Sequence, residues 1–115
     1  MKASIPILGL ILVMTSAVAQ TIQPKDALAH VGQTVTVEGV VSEVHTAVRS
    51  NTTFIDMGGR YPNNAFTAVI FSEDASKFPD VAALNDRIVD VTGTIRLYRG
   101  NPEIILNSAD QLKRR

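Results

Sequence analysis

Val35-Thr36-Val37-Glu38-Gly39-Val40-Val41 sets a pattern that returns as Val89-Asp90-Val91-Thr92-Gly93-Thr94-Ile95. Both stretches read valine, any residue, valine, any residue, glycine, any residue, apolar. Alternating β-branched residues are the mark of a half-buried strand. A glycine inside such a strand points to a sharp bend or to another backbone lying close. Two strands of this kind predict a small, coiled barrel in which they lie side by side and bend together at Gly39 and Gly93.

Working outward, Pro24 to Val31 reads as a short helix, with proline early, Asp26 in the first turn and Gly32 placed to end it. In the strand that follows, Val35, Val37, Gly39 and Val41 share a face before the apolar phase moves to Val44. That one-residue shift is the signature of a bulge. Thr46 to Asn51 makes a loop, and Thr53 to Met57 a second strand with Ile55 and Met57 inward. Phe54 and Asp56 then share the outer face. Gly58 to Asn64 is turn-rich. Ala65 to Phe71 is a third strand, with Phe66, Ala68 and Ile70 together on one side. Ser72 to Phe78 is a helix that Ser72 can cap, and Asp80 to Leu84 adds a turn. The fourth strand runs from Ile88 through Tyr98 as the longest of the set, with Val89, Val91, Gly93, Ile95 and Leu97 inward. Arg99 to Pro102 turns into a fifth strand, Glu103 to Asn107, and Ser108 with Gln111 forms a capping box for a last helical turn. Three strands, a helical connection and two more strands predict an all-β fold: a five-stranded OB-fold barrel with short helices at the N-terminus, between strands three and four, and at the C-terminus.

The first nineteen residues have their own logic. Lys2 precedes an apolar run, Ile5 to Val13, and Ala17-Val18-Ala19 offers the small residues of a cleavage site, so 1–19 reads as a signal peptide. The apolar run is shorter than the roughly 20 residues of a spanning helix. The chain has no cysteine, hence neither a disulfide framework nor a lipid-bearing thiol. The expectation is a periplasmic or secreted domain over 20–112 with no stable membrane anchor after cleavage, followed by a basic tail, 113–115. N-terminal sequencing of the exported protein, finding Gln20 first, is the check.

Eleven basic and eleven acidic residues balance overall. Within 20–112, however, there are seven basic and eleven acidic side chains. Proteins that grip nucleic acid through its phosphates usually carry a positive excess. A broad phosphate-binding surface is therefore not expected.

The quoted Val-x-Val-x-Gly strands, Phe54-Ile55-Asp56-Met57 and Arg87 to Ile95 together resemble the anticodon-binding OB domain of class II aminoacyl-tRNA synthetases of the aspartyl and asparaginyl type. Tyr61-Pro62-Asn63, Phe66, Leu97-Tyr98-Arg99-Gly100 and Pro102-Glu103-Ile104 resemble small OB-fold domains of exported bacterial proteins. The second likeness runs from about Pro24 to Leu112. The synthetase resemblance implies that Phe54 stacks on a base. It does not carry over the synthetases' Arg-Asp pair after the methionine, where Gly58-Gly59 stand here.

Ligands of this fold lie on the face of strands two and three, between the first and last strand-connecting loops. The candidate ligand-binding residues are Phe54, Asp56, Arg96, Tyr98, Arg49, Arg60, Tyr61 and Arg99. Stacking faces with flanking cations suit single-stranded nucleic acid, each stacked base contributing about 1–3 kcal/mol. The same tyrosines and arginines also fit an ordinary solvated surface. His30 and His45 show no metal-ligand spacing; His30 reads as a helix-end residue interacting with the terminal carbonyls and His45 as an exposed strand-end residue. Asp56 has no base or nucleophile at motif spacing, so no enzyme, cofactor or metal is expected. The expected function is a non-enzymatic binding module for single-stranded nucleic acid, with an envelope-protein interaction or scaffold module as the alternative and oligosaccharide or cationic-ligand capture as a third.

Overall fold

The computed structural model describes residues 19–115 together with Ser4 and Gly9. The leader expected over 1–19 thus falls, apart from Ser4, Gly9 and Ala19, outside the described residues. Among the described residues, eight strands form one mixed sheet: β1 (Gln20–Ile22), β2 (Thr34–Thr46), β3 (Thr53–Met57), β4 (Phe66–Ile70), β5 (Ile88–Thr94), β6 (Arg96–Tyr98), β7 (Asn101–Ile105) and β8 (Leu112–Arg114). Their order is β6-β7-β4-β3-β2-β5-β8, with β1 also on β2. β1 with β2 and β4 with β7 are parallel; the remaining pairs are antiparallel.

The expected five-stranded barrel is thereby corrected: the sheet is open, not closed into a barrel, and holds three more strands than expected. One cause lies at Ile95. The predicted fourth strand breaks there, because the Ile95 N–H donates to Gln33 O at 3.0 Å and its carbonyl accepts from the Gly32 N–H at 2.7 Å. The chain on one side stays on β2 as β5, and the chain on the other pairs with β7 as β6. Leu97, expected inward, is consequently exposed. The longest strand is β2, with 13 residues.

β2 serves two neighbours by changing register. It pairs with β5 from Thr34 to Val40 and with β3 from Val41 onward, and a shift between Val41 and Glu43 marks the bulge expected from the apolar phase. Ser42, the residue within that shift, accepts the Gly59 N–H on its Oγ at 3.0 Å. Cross-strand threonines bond on β2 and β5, Thr34 to Thr94 at 2.9 Å and Thr36 to Thr92 at 2.8 Å, the kind of pairing that fixes register.

Beneath this sheet lies one apolar core of Val35, Val37, Val41, Ile55, Met57, Phe66, Ala68, Ile70, Val89, Val91, Ile95, Ile104 and Leu106, all essentially inaccessible to solvent. Its volume comes from aliphatic side chains, with Phe66 the largest fully buried residue. The glycines of the repeated pattern serve close approach rather than a shared bend. They are not opposite each other, since Gly39 faces Val89 and Gly93 faces Val35. A methyl group on Gly39 would stand 2.8 Å from Pro24 Cγ, and one on Gly93 would stand 2.5 Å from Ile104 Cγ2. Gly39 thus seats the 3-10 turn Pro24–His30, which puts Ala27 into the core, and Gly93 seats β7.

The other connections are also 3-10 turns: Ser72–Lys77, Val81–Leu84 and Ala109–Gln111. Ser72 does not cap the first of these, because the capping position falls on Phe71. Gln111 ties the C-terminal turn to the sheet: its Oε1 accepts from the backbone of Asn107 and Ser108, at 2.8 and 3.0 Å, and its Nε2 donates to Thr92 O and Ile105 O. The basic C-terminal residues join the sheet as β8, and Arg115 Nε donates to Asp90 at 2.8 Å and Glu38 at 3.1 Å. Among the described residues no helix is long and apolar enough to cross a membrane.

Candidate functional site

Strand register assembles the outer face of the sheet. Glu43 on β2 stands opposite Asp56 on β3, Asp56 opposite Thr67 on β4, Thr67 opposite Glu103 on β7, and Glu103 opposite Arg96 on β6. One polar row therefore crosses five strands. Alternation carries the next positions onto the same face: His45 is opposite Phe54, and Phe54 is opposite Val69. Tyr98 faces Asn101 where β6 turns into β7.

His45, Phe54, Asp56, Tyr61, Asn64, Thr67, Tyr98, Arg99, Asn101 and Glu103 enclose a pocket of about 290 Å³. A second hollow of about 270 Å³ shares Phe54, Tyr98 and Glu103 with it and adds Thr52, Val69, Phe71 and Arg96. Together they make one groove, apolar along its β3–β4 side and polar on its floor.

Aromatic rings frame the groove. His45 stacks on Phe54 with ring centroids 5.0 Å apart and planes 22° from parallel, within the offset-stacked range. Tyr61 lies 6.4 Å from His45, tilted by 51°. Tyr61 and Tyr98 are both more than half exposed. The Arg99 guanidinium lies 5.3 Å from the Tyr98 ring centroid, in cation–π range. Arg99 also holds φ +50 and Gly100 φ +81 in the two-residue turn joining β6 to β7, the left-handed pair that tight hairpins demand.

The floor is built around Asp56, which is 1% exposed. Its Oδ2 lies 3.1 Å from His45 Nε2, and its Oδ1 accepts from Thr67 Oγ1 at 3.3 Å and Asn64 Nδ2 at 3.4 Å. Asn64 Nδ2 also reaches Thr67 Oγ1 at 2.6 Å and Phe66 O at 3.1 Å. Burial pushes the Asp56 carboxyl above the usual carboxylate range, and the nearby His45 and the Thr67 hydroxyl only partly oppose it. Loss of hydration outweighs these partners because a carboxylate taken out of water needs nearly complete compensation. Glu103, 6% exposed, receives Arg96 through Nε at 2.7 Å and Nη2 at 2.6 Å on one oxygen, Oε1.

Of the residues expected from sequence, Phe54, Asp56, Tyr61, Tyr98 and Arg99 line the main pocket, and Arg96 lines the adjoining hollow. Arg49 and Arg60 are exposed and line neither. His45, expected as an exposed strand-end residue, stands one position before the end of β2 with its side chain 38% exposed, and is a stacked, bonded wall of the groove. The signal was there, because Thr46 and Thr53 close the β2–β3 hairpin and place His45 across from Phe54. Asp56 correspondingly has partners that motif spacing did not show. Asn64, Thr67, Asn101 and Glu103 were also missed; the parallel β4–β7 pairing that brings Glu103 to Thr67 has no local sequence signal. His30 bonds Gln33 Oε1 through Nδ1 at 2.8 Å rather than a helix-end carbonyl.

The chemistry this groove can supply is stacking, hydrogen bonding and charge. Among the described residues no three or more His, Asp or Glu side chains stand together to hold a metal ion.

No protein-family model and no curated protein matches the chain. Solved structures do. An OBody bound to hen egg-white lysozyme matches with a TM-score of 0.63 at 16% identity, over 88% of this chain and 98% of the OBody. A putative aspartyl-tRNA synthetase from Leishmania major Friedlin matches with a TM-score of 0.59 at 16% identity, over 90% of this chain and 22% of the synthetase. Asparaginyl-tRNA synthetase from Entamoeba histolytica, in complex with asparaginyl-adenylate, matches with a TM-score of 0.56 at 19% identity, over 84% of this chain and 24% of the synthetase. At these identities the likeness is one of fold alone: the chain shares its arrangement with the OBody and with less than a quarter of each synthetase, and its own sheet is open.

Proposed function

We propose that the protein is a non-enzymatic binding module that takes single-stranded nucleic acid in the β3–β4 groove, with bases against the His45–Phe54 stack, Tyr61 and Tyr98. What supports this is the convergence of four rings on one face with a polar floor beneath them. Every base has a flat face, so stacking tolerates sequence, at about 1–3 kcal/mol per base. Asn64, Thr67 and Asn101 supply hydrogen bonds to whatever edge the stacked base presents. Arg99 sits at the rim, where a phosphate follows its base. The fold likeness to the domain-sized part of two tRNA synthetases agrees with a binding role.

The test is fluorescence anisotropy with a labelled, mixed-sequence oligonucleotide at low salt. Phe54→Ala, by removing a stacking face, weakens binding by about ten- to a hundredfold. Absence of binding by the parent protein would remove the proposal.

An alternative occupant is a protein partner, favoured by one observation: the OBody, matched over almost its whole length, is bound to lysozyme. A single partner recovered stoichiometrically after nuclease treatment selects it. Export to the periplasm or medium is part of the proposal and rests on the pattern of residues 1–19.

A further inference from the structure

We infer that His45 is a ligand contact whose charge sets the affinity of the groove: stacked on Phe54 and bonded through Nε2 to buried Asp56, its imidazole is the second cation offered to a polyanion when it takes up a proton. This inference rests on the proposed nucleic-acid occupant and specifies how binding there is regulated.

The cations on the groove make the case. Arg96 is neutralised by two bonds to Glu103, and Arg49 and Arg60 lie outside. Among the described residues, Arg99 is the one arginine lining the main pocket. His45 is also on the pocket wall, its side chain 38% exposed. It can therefore meet a ligand on its open side while its other contacts hold the ring in place.

Asp56 fixes the sign of the effect. With the imidazole neutral and the carboxylate ionised, the pair presents one negative charge to the ligand. Protonation of the imidazole removes it, and protonation of the buried carboxyl leaves a net positive pair. Each proton bound makes the groove more attractive to phosphate, so binding takes up protons and tightens as pH falls. Other ionisable groups face the pair: Glu43 from β2, Tyr61 from the β3–β4 connection, Tyr98 and Arg99 from the β6–β7 hairpin, and Glu103 from β7. All remain when His45 is replaced by glutamine, so their contribution persists in that variant and can be subtracted.

The experiment measures Kd for a fluorescein-labelled single-stranded oligonucleotide between about pH 5.5 and pH 8 at fixed salt, for the parent protein, His45→Gln and Asp56→Asn. The parent is expected to bind about three- to tenfold more tightly at the acid end, with a steeper salt dependence by roughly 0.7 in log–log slope for one additional phosphate neutralised. His45→Gln loses the added slope and the part of the pH trend that the imidazole carries, keeping only what the remaining groups contribute. Asp56→Asn binds more tightly throughout and keeps the trend. A pH trend unchanged in His45→Gln overturns the inference and leaves the groove assignment standing. Absence of binding at every pH overturns both. If His45→Gln does not fold, a parent slope equal at both pH limits overturns the inference by itself.

Discussion

Asp56 is buried at the floor of the groove. Its carboxyl is buried, and its folded-state proton affinity is raised by that burial against the pull of His45 and Thr67. The folded chain therefore holds more protons than the unfolded chain from about pH 3.9, the ordinary aspartate value, upward to the raised one. By linkage, this group's contribution to stability falls as pH rises through that window. Asp56→Asn keeps an oxygen acceptor for Thr67 and Asn64 and removes the charge. In urea titrations across this range, the stability of the parent relative to Asp56→Asn should decline with rising pH. A relative stability that climbs with pH would show that His45 more than compensates the buried charge. The outward pairing of Phe54 with Asp56 was legible from alternation alone. The partners of Asp56 were not, because His45, Asn64 and Thr67 reach it across strands and through a loop.

At the scale of elements, the inward faces of β2, β3 and β5 and the bulge after Val41 followed from apolar phase, a local property. The break at Ile95 did not, since alternation continues through Leu97 and the break is made by hydrogen bonds to Gly32 and Gln33, more than sixty positions away in the chain. For the same reason β1 and β8, too short to show a period, were invisible in the sequence. Gly93 has a definite role in this arrangement. A methyl group there meets Ile104 Cγ2 at 2.5 Å and Gln111 Nε2 at 3.2 Å, and Ile104 is fully buried. Gly93→Ala should therefore destabilise by about 1–3 kcal/mol, as overpacking does, and lower Tm by roughly 4–8 °C for each kcal/mol in a domain of this size. An unchanged melting temperature would mean that β7 can move away from β5 without cost.

For the whole molecule, charge and shape limit how a ligand can be held. The domain body is acidic, Arg96 is internally neutralised, and Lys113 to Arg115 belong to the far side of the strand order, on and just after β8. Of the arginines expected around the ligand face, Arg99 lines the main pocket, Arg96 lines the adjoining hollow bonded to Glu103, and Arg49 and Arg60 line neither. Affinity in the proposed complex consequently comes from stacking more than from phosphate neutralisation. The most direct measurement is the salt dependence of oligonucleotide binding near neutral pH, made in parallel on the parent and Phe54→Ala. One or two neutralised phosphates correspond to a log–log slope of about −0.7 to −1.4, together with a large loss of affinity in the variant. A slope steeper than about −3, with Phe54→Ala binding as well as the parent, would place the ligand on scattered surface cations and contradict the groove as its site.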